Sequence, residues 1–566
     1  MNIYDLFEVA LQRAAERPAL VEGIGKRRRV VSFAQLEKQV NGVVTTLNKR
    51  GLCPGDKVLL AVPVSIDTYI VMLALLKAGM VIMHIDPAHG ISKVAQILKA
   101  WPPVAIVGSK PILMFGLLFP ELRRIQKRFV VGGRARGATL LCDDQDSQAP
   151  VPVIVRSVAD PAILSFTSGS TGEPKALIRT HGFLRKQLEI LHRVAQTSAD
   201  DIDFVAMPMF VLFNLAHRIT SVLPACNMKH PGRADPRIVL TQLCTESATR
   251  MIASPALLER LADHCLLQKR TIPQMRCIST GGGPVGTSLP LRLRTIAPNA
   301  IVRTVYGSTE AEPIASIDEQ QVSIADRAKT HEGGGLLVGK PVRGCAVRII
   351  QSQAGCEFGP LTNEAFANIC LSGGTAGEIV VSGEHVISGY ADPARDRESK
   401  IQVKNTIWHR TGDAGYFDAA GRLWLVGRCA AALSDYRGTV YPFQVEYAVG
   451  AVRGVRRAAL IEKDSDRVLV LETSGRKFRS NCAEAAKCVA LFEIDRIVTV
   501  HRIPVDRRHD AKVDYPALAR LLDGSLRRYR DSLAEGLSFV FTYCRDGYRR
   551  LQSQTQIRRH HKHQVR

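Results

Sequence analysis

The chain has 566 residues, a hydrophobic fraction of 46% and a formal net charge of +23. That length calls for two or more domains, no apolar run is long enough to span a membrane, and the thirteen scattered cysteines lack a C-x-x-C pair, which points to a reducing cytoplasm rather than a disulfide framework. The charge suggests nucleic acid first, yet aromatic residues make up only 6% and no DNA- or RNA-binding signature occurs. A diffuse positive field also attracts anionic small molecules, an acidic carrier protein or anionic lipid, and charge alone does not choose among them. Met1–Asp5 shows no basic region followed by an apolar one, so no secretory signal is expected.

In chain order, Phe33–Lys49 is expected to be a helix capped by Ser32. A strand at Lys57–Val62, a helix at Ile66–Ala78 and a strand at Gly79–Ile85 follow, with further strands at Val104–Val107 and Arg128–Gly132. The alternation predicts parallel α/β layering. The longest apolar runs, Tyr69–Leu76 and Ile112–Phe119, are expected in the core, and Glu121–Arg128 as the solvated end of a helix.

Ala162–Leu164 reads as the end of a buried strand that breaks into Thr167, Ser168, Gly169, Ser170, Thr171 and Gly172. Small residues let backbone N–H groups converge on an anion, hydroxyls add donors, and Lys175 adds a point charge. The pattern fits a polyphosphate. It is not G-x-x-x-x-G-K-[ST], because Glu173 and Pro174 intervene before Lys175. A flexible polar turn is the competing reading.

Gly182–Ala195 is expected as a helix, and Phe204–Met207 as a strand running into the apolar segment Pro208–Asn214. A strand at Arg250–Ser254 and a helix at Pro255–Leu266 precede Cys277–Gly283, whose Gly281, Gly282 and Gly283 would let a flat ring lie on bare backbone. A tight strand-to-helix turn explains them equally well. Arg303–Pro313 then offers the planar face of Tyr306, then Gly307, the hydroxyl of Thr309 and the carboxylate of Glu310, suited to a base, a phosphate oxygen and Mg2+. Asp413 lies in His409–Tyr416, and Arg428 closes Gly421–Arg428. Beyond it a small α+β unit is expected, with helices at Val440–Val449 and Asn481–Leu491 and strands at Ala458–Ile461, Val468–Thr473 and Ile497–Ile503. Lys512 stands just before a helix; a surface lysine in a basic stretch is the competing reading. Residues after about Ser525 form a basic, His-rich tail.

The order of Thr167–Lys175, Tyr306–Glu310, His409–Tyr416, Gly421–Arg428 and Lys512 closely resembles the adenylate-forming superfamily of acyl-CoA synthetases, luciferases and peptide-synthetase adenylation domains. The resemblance covers the chain to about residue 522. It implies an α/β fold: a large N-terminal part of layered α/β subdomains with a β-rich subdomain over residues 1–428, a mobile α+β lid over 429–523, and a basic tail over 524–566. It implies attack of a carboxylate on the α-phosphate of ATP, giving acyl-AMP and pyrophosphate. The loop residues with Lys175 would neutralise the β- and γ-phosphates together with Mg2+ at Glu310. Tyr306 would stack on the base, Thr309 bind a phosphate oxygen, Asp413 hold the ribose, and Arg428 reach the ribose or phosphate. Lys512 would stabilise the α-phosphate in the transition state.

Within the superfamily, Met207–Ala216, Trp424–Arg428 and Arg508–Lys512 resemble the fatty-acid ligase branch that includes olefin-pathway β-lactone synthetases. Ordinary acyl-CoA ligases more often carry Gly, His and a polar residue where this chain has Ala511, Val211 and Ala430. Phe210, Phe213 and Asn214 form the expected substrate wall, and Phe210–Leu215 has no charged residue to pair an ammonium, so an alkyl acid is expected. The first expectation is a medium- or long-chain fatty acid–CoA ligase using ATP, Mg2+ and CoA. The alternatives are a β-lactone synthetase acting on a 3-hydroxy fatty acid, and a degenerate, non-catalytic member. Expected partners beyond the acid are an acyl carrier protein or other lipid-pathway enzymes and, through the basic surface, a membrane; nucleic acid is not expected.

Overall fold

The computed structural model describes residues 1–86, 90–116, 118–141, 149–168, 174–228, 230–352, 356–473, 478–506 and 512–532. The expected alternation is realised as a seven-stranded sheet. Its order is Thr139–Leu140, Lys127–Val131, Ala105–Ser109, Lys57–Ala61, Val81–His84, Pro161–Ser168 and Pro174–Thr180. All neighbours are parallel except the last pair, an antiparallel hairpin in which Thr167 faces Lys175. The helix Phe33–Lys49 forms because apolar residues recur at 33, 36, 40, 43, 44 and 47, all of them buried. Its Ser32–Gln35 capping box satisfies both backbone N–H groups at its start.

A second sheet of fourteen strands is parallel at its centre and antiparallel towards one side. The parallel centre holds Ile202–Val205, Arg250–Ala253, Cys277–Gly281 and Ile301–Ser308. The antiparallel side continues through Ala311–Asp318, Leu336–Pro341, Leu423–Arg428 and Thr406–Phe417 to Gly377–Ser382 and Ala346–Ile350. Its core includes Trp424, which is fully buried. Later in the chain, Val455–Lys463, Asp466–Thr473 and Arg496–Val500 make a separate three-stranded sheet. The last described helix, Tyr515–Ser532, runs across residue 523.

Four local expectations change. Ile112–Phe119 is not core: Met114, Phe115 and Leu118 are 58%, 56% and 73% exposed, because the short helix Lys110–Gly116 sits at the end of the sheet and turns Leu113 and Gly116 inward. The charged stretch from Glu121 is helical only to Arg123, since Lys127–Val131 is claimed by the parallel sheet. Pro208–Asn214 becomes the helix Met209–Ala216, because Val211, Leu212, Phe213 and Leu215 are buried in the core. Val440–Val449 breaks into a strand at Gly438–Val440 and a five-residue helix at Pro442–Glu446 because Pro442 starts the helix at its first position.

Candidate active site

The two larger sheets meet the late, small sheet at a cleft of about 1410 Å³. Its walls carry Lys175, Tyr306, Glu310, Asp413, Arg428 and Lys512, residues spread over more than three hundred positions of sequence. Asp413 is the hub. The Tyr306 hydroxyl donates to its Oδ2 at 2.8 Å, and Arg428 Nε lies 3.1 Å from its Oδ1. The hub is fixed from behind: the Asp413 backbone N–H donates to Thr411 Oγ1 at 3.1 Å, and Arg428 donates to the Thr411 carbonyl at 3.1 Å. Burial, then the Asp413 carboxylate, drive the Tyr306 phenol well above its ordinary pKa, so it remains a donor. Tyr306 itself is only 8% exposed.

Around Glu310 a second cluster forms. The Tyr390 hydroxyl donates to Glu310 Oε1 at 2.9 Å, and the Tyr390 backbone N–H donates to Asp396 Oδ1 at 2.8 Å. Lys175 Nζ lies 5.4 Å from the centre of the Tyr390 ring and Lys400 Nζ 5.8 Å from it. Burial alone would raise the Glu310 carboxyl, but His409, the Tyr390 hydroxyl, the local backbone and Lys400 outweigh it and keep it low and ionised. Burial lowers Lys400 to about 8, opposed by Asp396 and Glu310, and lowers His409 as well, with Glu310 pulling it back up. Mg2+ is commonly held by one or two carboxylates together with substrate phosphates, so an ionised Glu310 beside Lys175 fits such a site. Bound there, the ion would offset phosphate charge.

Arg179 joins this cluster to the hairpin, donating to Ser165 Oγ at 3.0 Å and to the Thr309 carbonyl at 3.2 Å. Thr309 lines the cleft. The loop at Gly169, Ser170, Thr171 and Gly172 lies outside the described residues, as do the side chains of Thr167 and Ser168. The glycine run divides its work. A Cβ on Gly281 would come 2.5 Å from the Val305 carbonyl, so this position serves close packing of two strands. Gly282 has φ +75°, and it lines the cleft with Gly283. Gly307 is similarly confined, with the Ala311 carbonyl 2.9 Å from a Cβ there. On the far wall, the Lys512 backbone N–H donates to Asp506 Oδ1 at 2.8 Å, and the Asp506 N–H donates back to the Lys512 carbonyl at 2.8 Å. That clasp presents the exposed Lys512 to the cleft.

Behind the cleft lies a chamber of about 50 Å³, sharing Val305 with it and lined by Leu191, Val194, Phe210 and Phe213. Deeper along the same strands it reaches Arg303, Arg250 and Asp203. Burial raises Asp203 to about 6 against the pull of Arg250 and Asn214. Phe210 and Phe213 both line this chamber. Asn214 does not line the chamber: its amide is fully buried and donates to Asp203 Oδ2 and Ser221 Oγ, both at 3.1 Å. Sequence reading missed Tyr390, Asp396 and Lys400, each a single residue outside any spaced motif, and read His409 only as the start of the stretch that carries Asp413. Their roles come from the cluster around Glu310, eighty or more positions upstream.

A model of the AMP-binding enzyme family matches residues 7–391. The chain belongs to that family, and it is an adenylate-forming, ligase-type enzyme. It is 30% identical to an olefin β-lactone synthetase from Xanthomonas campestris over 511 residues, 86% of this chain and 90% of the relative. A putative acyl–CoA ligase from Bacillus subtilis is 24% identical over 511 residues, 87% of this chain and 95% of the relative. Among solved structures, the amide bond synthetase McbA from Marinactinospora thermotolerans superposes with a TM-score of 0.73 at 21% identity, covering 92% of this chain and 99% of that one. ATP-bound MatB from Rhodopseudomonas palustris gives the same score, identity and coverage. These two establish the fold.

Proposed function

We propose that the enzyme activates an alkyl carboxylic acid as its acyl-AMP, and that the acyl group of a 3-hydroxy acid then closes on its own hydroxyl to a β-lactone. The Tyr306–Asp413–Arg428 hub facing Lys512 carries the first half of this reading. Asp413 accepts from the ribose hydroxyls, and Tyr306 and Arg428 hold it in place. Lys175 meets the outer phosphates. Lys512 faces the α-phosphate, where negative charge grows as the carboxylate oxygen bonds to phosphorus and pyrophosphate departs. Holding two anions against each other is most of the work, and the positive walls offset their repulsion.

The alkyl tail is assigned to the chamber behind Val305, whose near walls are apolar and aromatic. Each methylene placed there gains about 0.8 kcal/mol. For the second half, the 3-hydroxyl oxygen bonds to the acyl carbon, the acyl–phosphate bond breaks, AMP leaves and the hydroxyl proton passes to solvent or a base. The likeness to olefin β-lactone synthetases supports this acceptor over CoA. Transfer to CoA is the second reading, supported by the more distant ligase relatives. Residues 1–428 would then form the nucleotide-binding part, 429–523 the lid and 524–566 the tail.

Mass spectrometry after incubation with ATP, Mg2+ and matched fatty and 3-hydroxy fatty acids, with and without CoA, tests both. A dehydrated product from the 3-hydroxy acid without CoA is expected. A CoA thioester as sole product would replace the lactone reading with the ligase. No pyrophosphate from any alkyl acid would leave a non-catalytic member.

A further inference from the structure

The six parallel strands of the seven-stranded sheet point their C-terminal ends the same way. The edge they define carries the hairpin that leads to Lys175, and also the helix Lys110–Gly116. On that helix and its exit Met114, Phe115 and Leu118 stand out from the protein, and Ile91, which opens the helix after the strand Val81–His84, is 61% exposed. Exposed apolar side chains are ordinary when scattered, but three large ones within five positions at a helix tip are not. The surrounding charge is predominantly basic: residues 90–141 contain nine Lys and Arg and one acid, Glu121, which pairs with Lys99 at 3.7 Å, while Asp86 precedes this stretch and Asp143, Asp144 and Asp146 follow it in sequence. Lys110, Arg123, Arg124, Arg134 and Arg136 are exposed. Lys110 directly follows the strand Ala105–Ser109, and Arg134 and Arg136 lie in the short connection from Lys127–Val131 to Thr139–Leu140, at the same edge of the sheet.

We infer that this ridge docks the enzyme on an anionic lipid bilayer, with Met114, Phe115 and Leu118 entering the acyl boundary and the basic residues meeting lipid headgroups. An apolar tip in a basic surround combines the two contributions that interfacial binding needs: buried apolar area and attraction to negative lipid. An acidic protein partner would match the charge without needing the apolar tip at the level of the acyl chains. Docking there turns the edge that bears the Lys175 hairpin towards the membrane. The inference does not depend on which acceptor takes the acyl group.

The test is co-sedimentation of the full chain with phosphatidylcholine vesicles and with phosphatidylcholine–phosphatidylglycerol vesicles. Wild type is expected to partition to the anionic vesicles only. M114S/F115S/L118S should lose roughly tenfold or more in partitioning. R134E/R136E should lose it too and flatten its salt dependence. Phe115→Trp should blue-shift its added emission only when anionic vesicles are present. Release of pyrophosphate with a short, water-soluble acid should be unchanged in every variant, which separates this test from that of the reaction. Three results would overturn the inference: no partitioning of wild type, as expected if the occupant is a protein; unchanged partitioning of the ridge variant, which would assign binding to the basic tail; or a change of oligomeric state in the ridge variant, which would assign the ridge to a second copy of the chain.

Discussion

The Tyr306 hydroxyl lies 2.8 Å from Asp413 Oδ2, joining a strand of the parallel centre of the large sheet to a strand of its antiparallel side. Tyr306 therefore does two jobs. Its ring borders the cleft, and its hydroxyl occupies one oxygen of the carboxylate assigned to the ribose. Asp413→Ala is expected to weaken nucleotide binding by about one to two orders of magnitude for each hydrogen bond lost, at roughly 1.5–3 kcal/mol for a charge-assisted bond. Tyr306→Phe should weaken it less, since Arg428 still holds Asp413. Calorimetry with ATP and with the acid, separately, checks this; equal losses for both ligands would indicate general damage.

Lys512 reaches the cleft from a clasp with Asp506 rather than from the sheet that holds Tyr306, Asp413 and Arg428. Lys512→Ala should therefore cut the rate of pyrophosphate release by about 10²–10³ while leaving ATP affinity nearly intact. Adenylate formation at the wild-type rate in a stopped-flow assay would remove Lys512 from the reaction.

Burial holds Lys400 near 8, so it is charged below that pH and neutral above it. Its charge helps keep Glu310 ionised and steadies the Tyr390 ring. Pyrophosphate release should fall on the alkaline side as this charge is lost, and Lys400→Arg should carry that limb to higher pH. An unchanged alkaline limb in the arginine variant would show that another group sets it.

Val305 separates the cleft from the chamber. Val305→Phe should narrow the passage, with acetate activation little changed and longer alkyl acids penalised. Each methylene denied apolar contact costs about 0.8 kcal/mol, about fourfold in kcal-to-affinity conversion. A series of acids of increasing length, compared by kcat/KM, gives the slope; parallel curves for wild type and variant would place the tail elsewhere.

Glu446 accepts from the Leu460 N–H at 3.0 Å and from the Tyr515 hydroxyl at 2.7 Å, tying three segments of the late part of the chain. Burial raises its carboxyl to about 7. Because the folded pKa exceeds the ordinary value, the folded state binds the proton more tightly, and stability is lost as pH rises from about 4.5 towards 7. Glu446→Gln keeps the acceptor and removes the charge. It should melt higher than wild type at pH 8 and close to it at pH 5; the same difference at both values would exclude titration of Glu446.

The sequence by itself determined what acts over a few residues. Ser32 and Gln35 cap their helix through adjacent backbone groups, and the strand–helix alternation sets parallel layers. Tertiary structure alone decided which distant groups meet. Asp413 gains Tyr306 from 107 positions away and Glu310 gains Tyr390 from 80. Asn214 turns from the chamber to Asp203, and the apolar run at Ile112–Phe119 emerges at the surface. Hydrogen-bond capping and periodicity are local, so residue order suffices to read them. Desolvation, charge pairing and exposure depend on what the fold packs around each group, and no spacing along the chain encodes that.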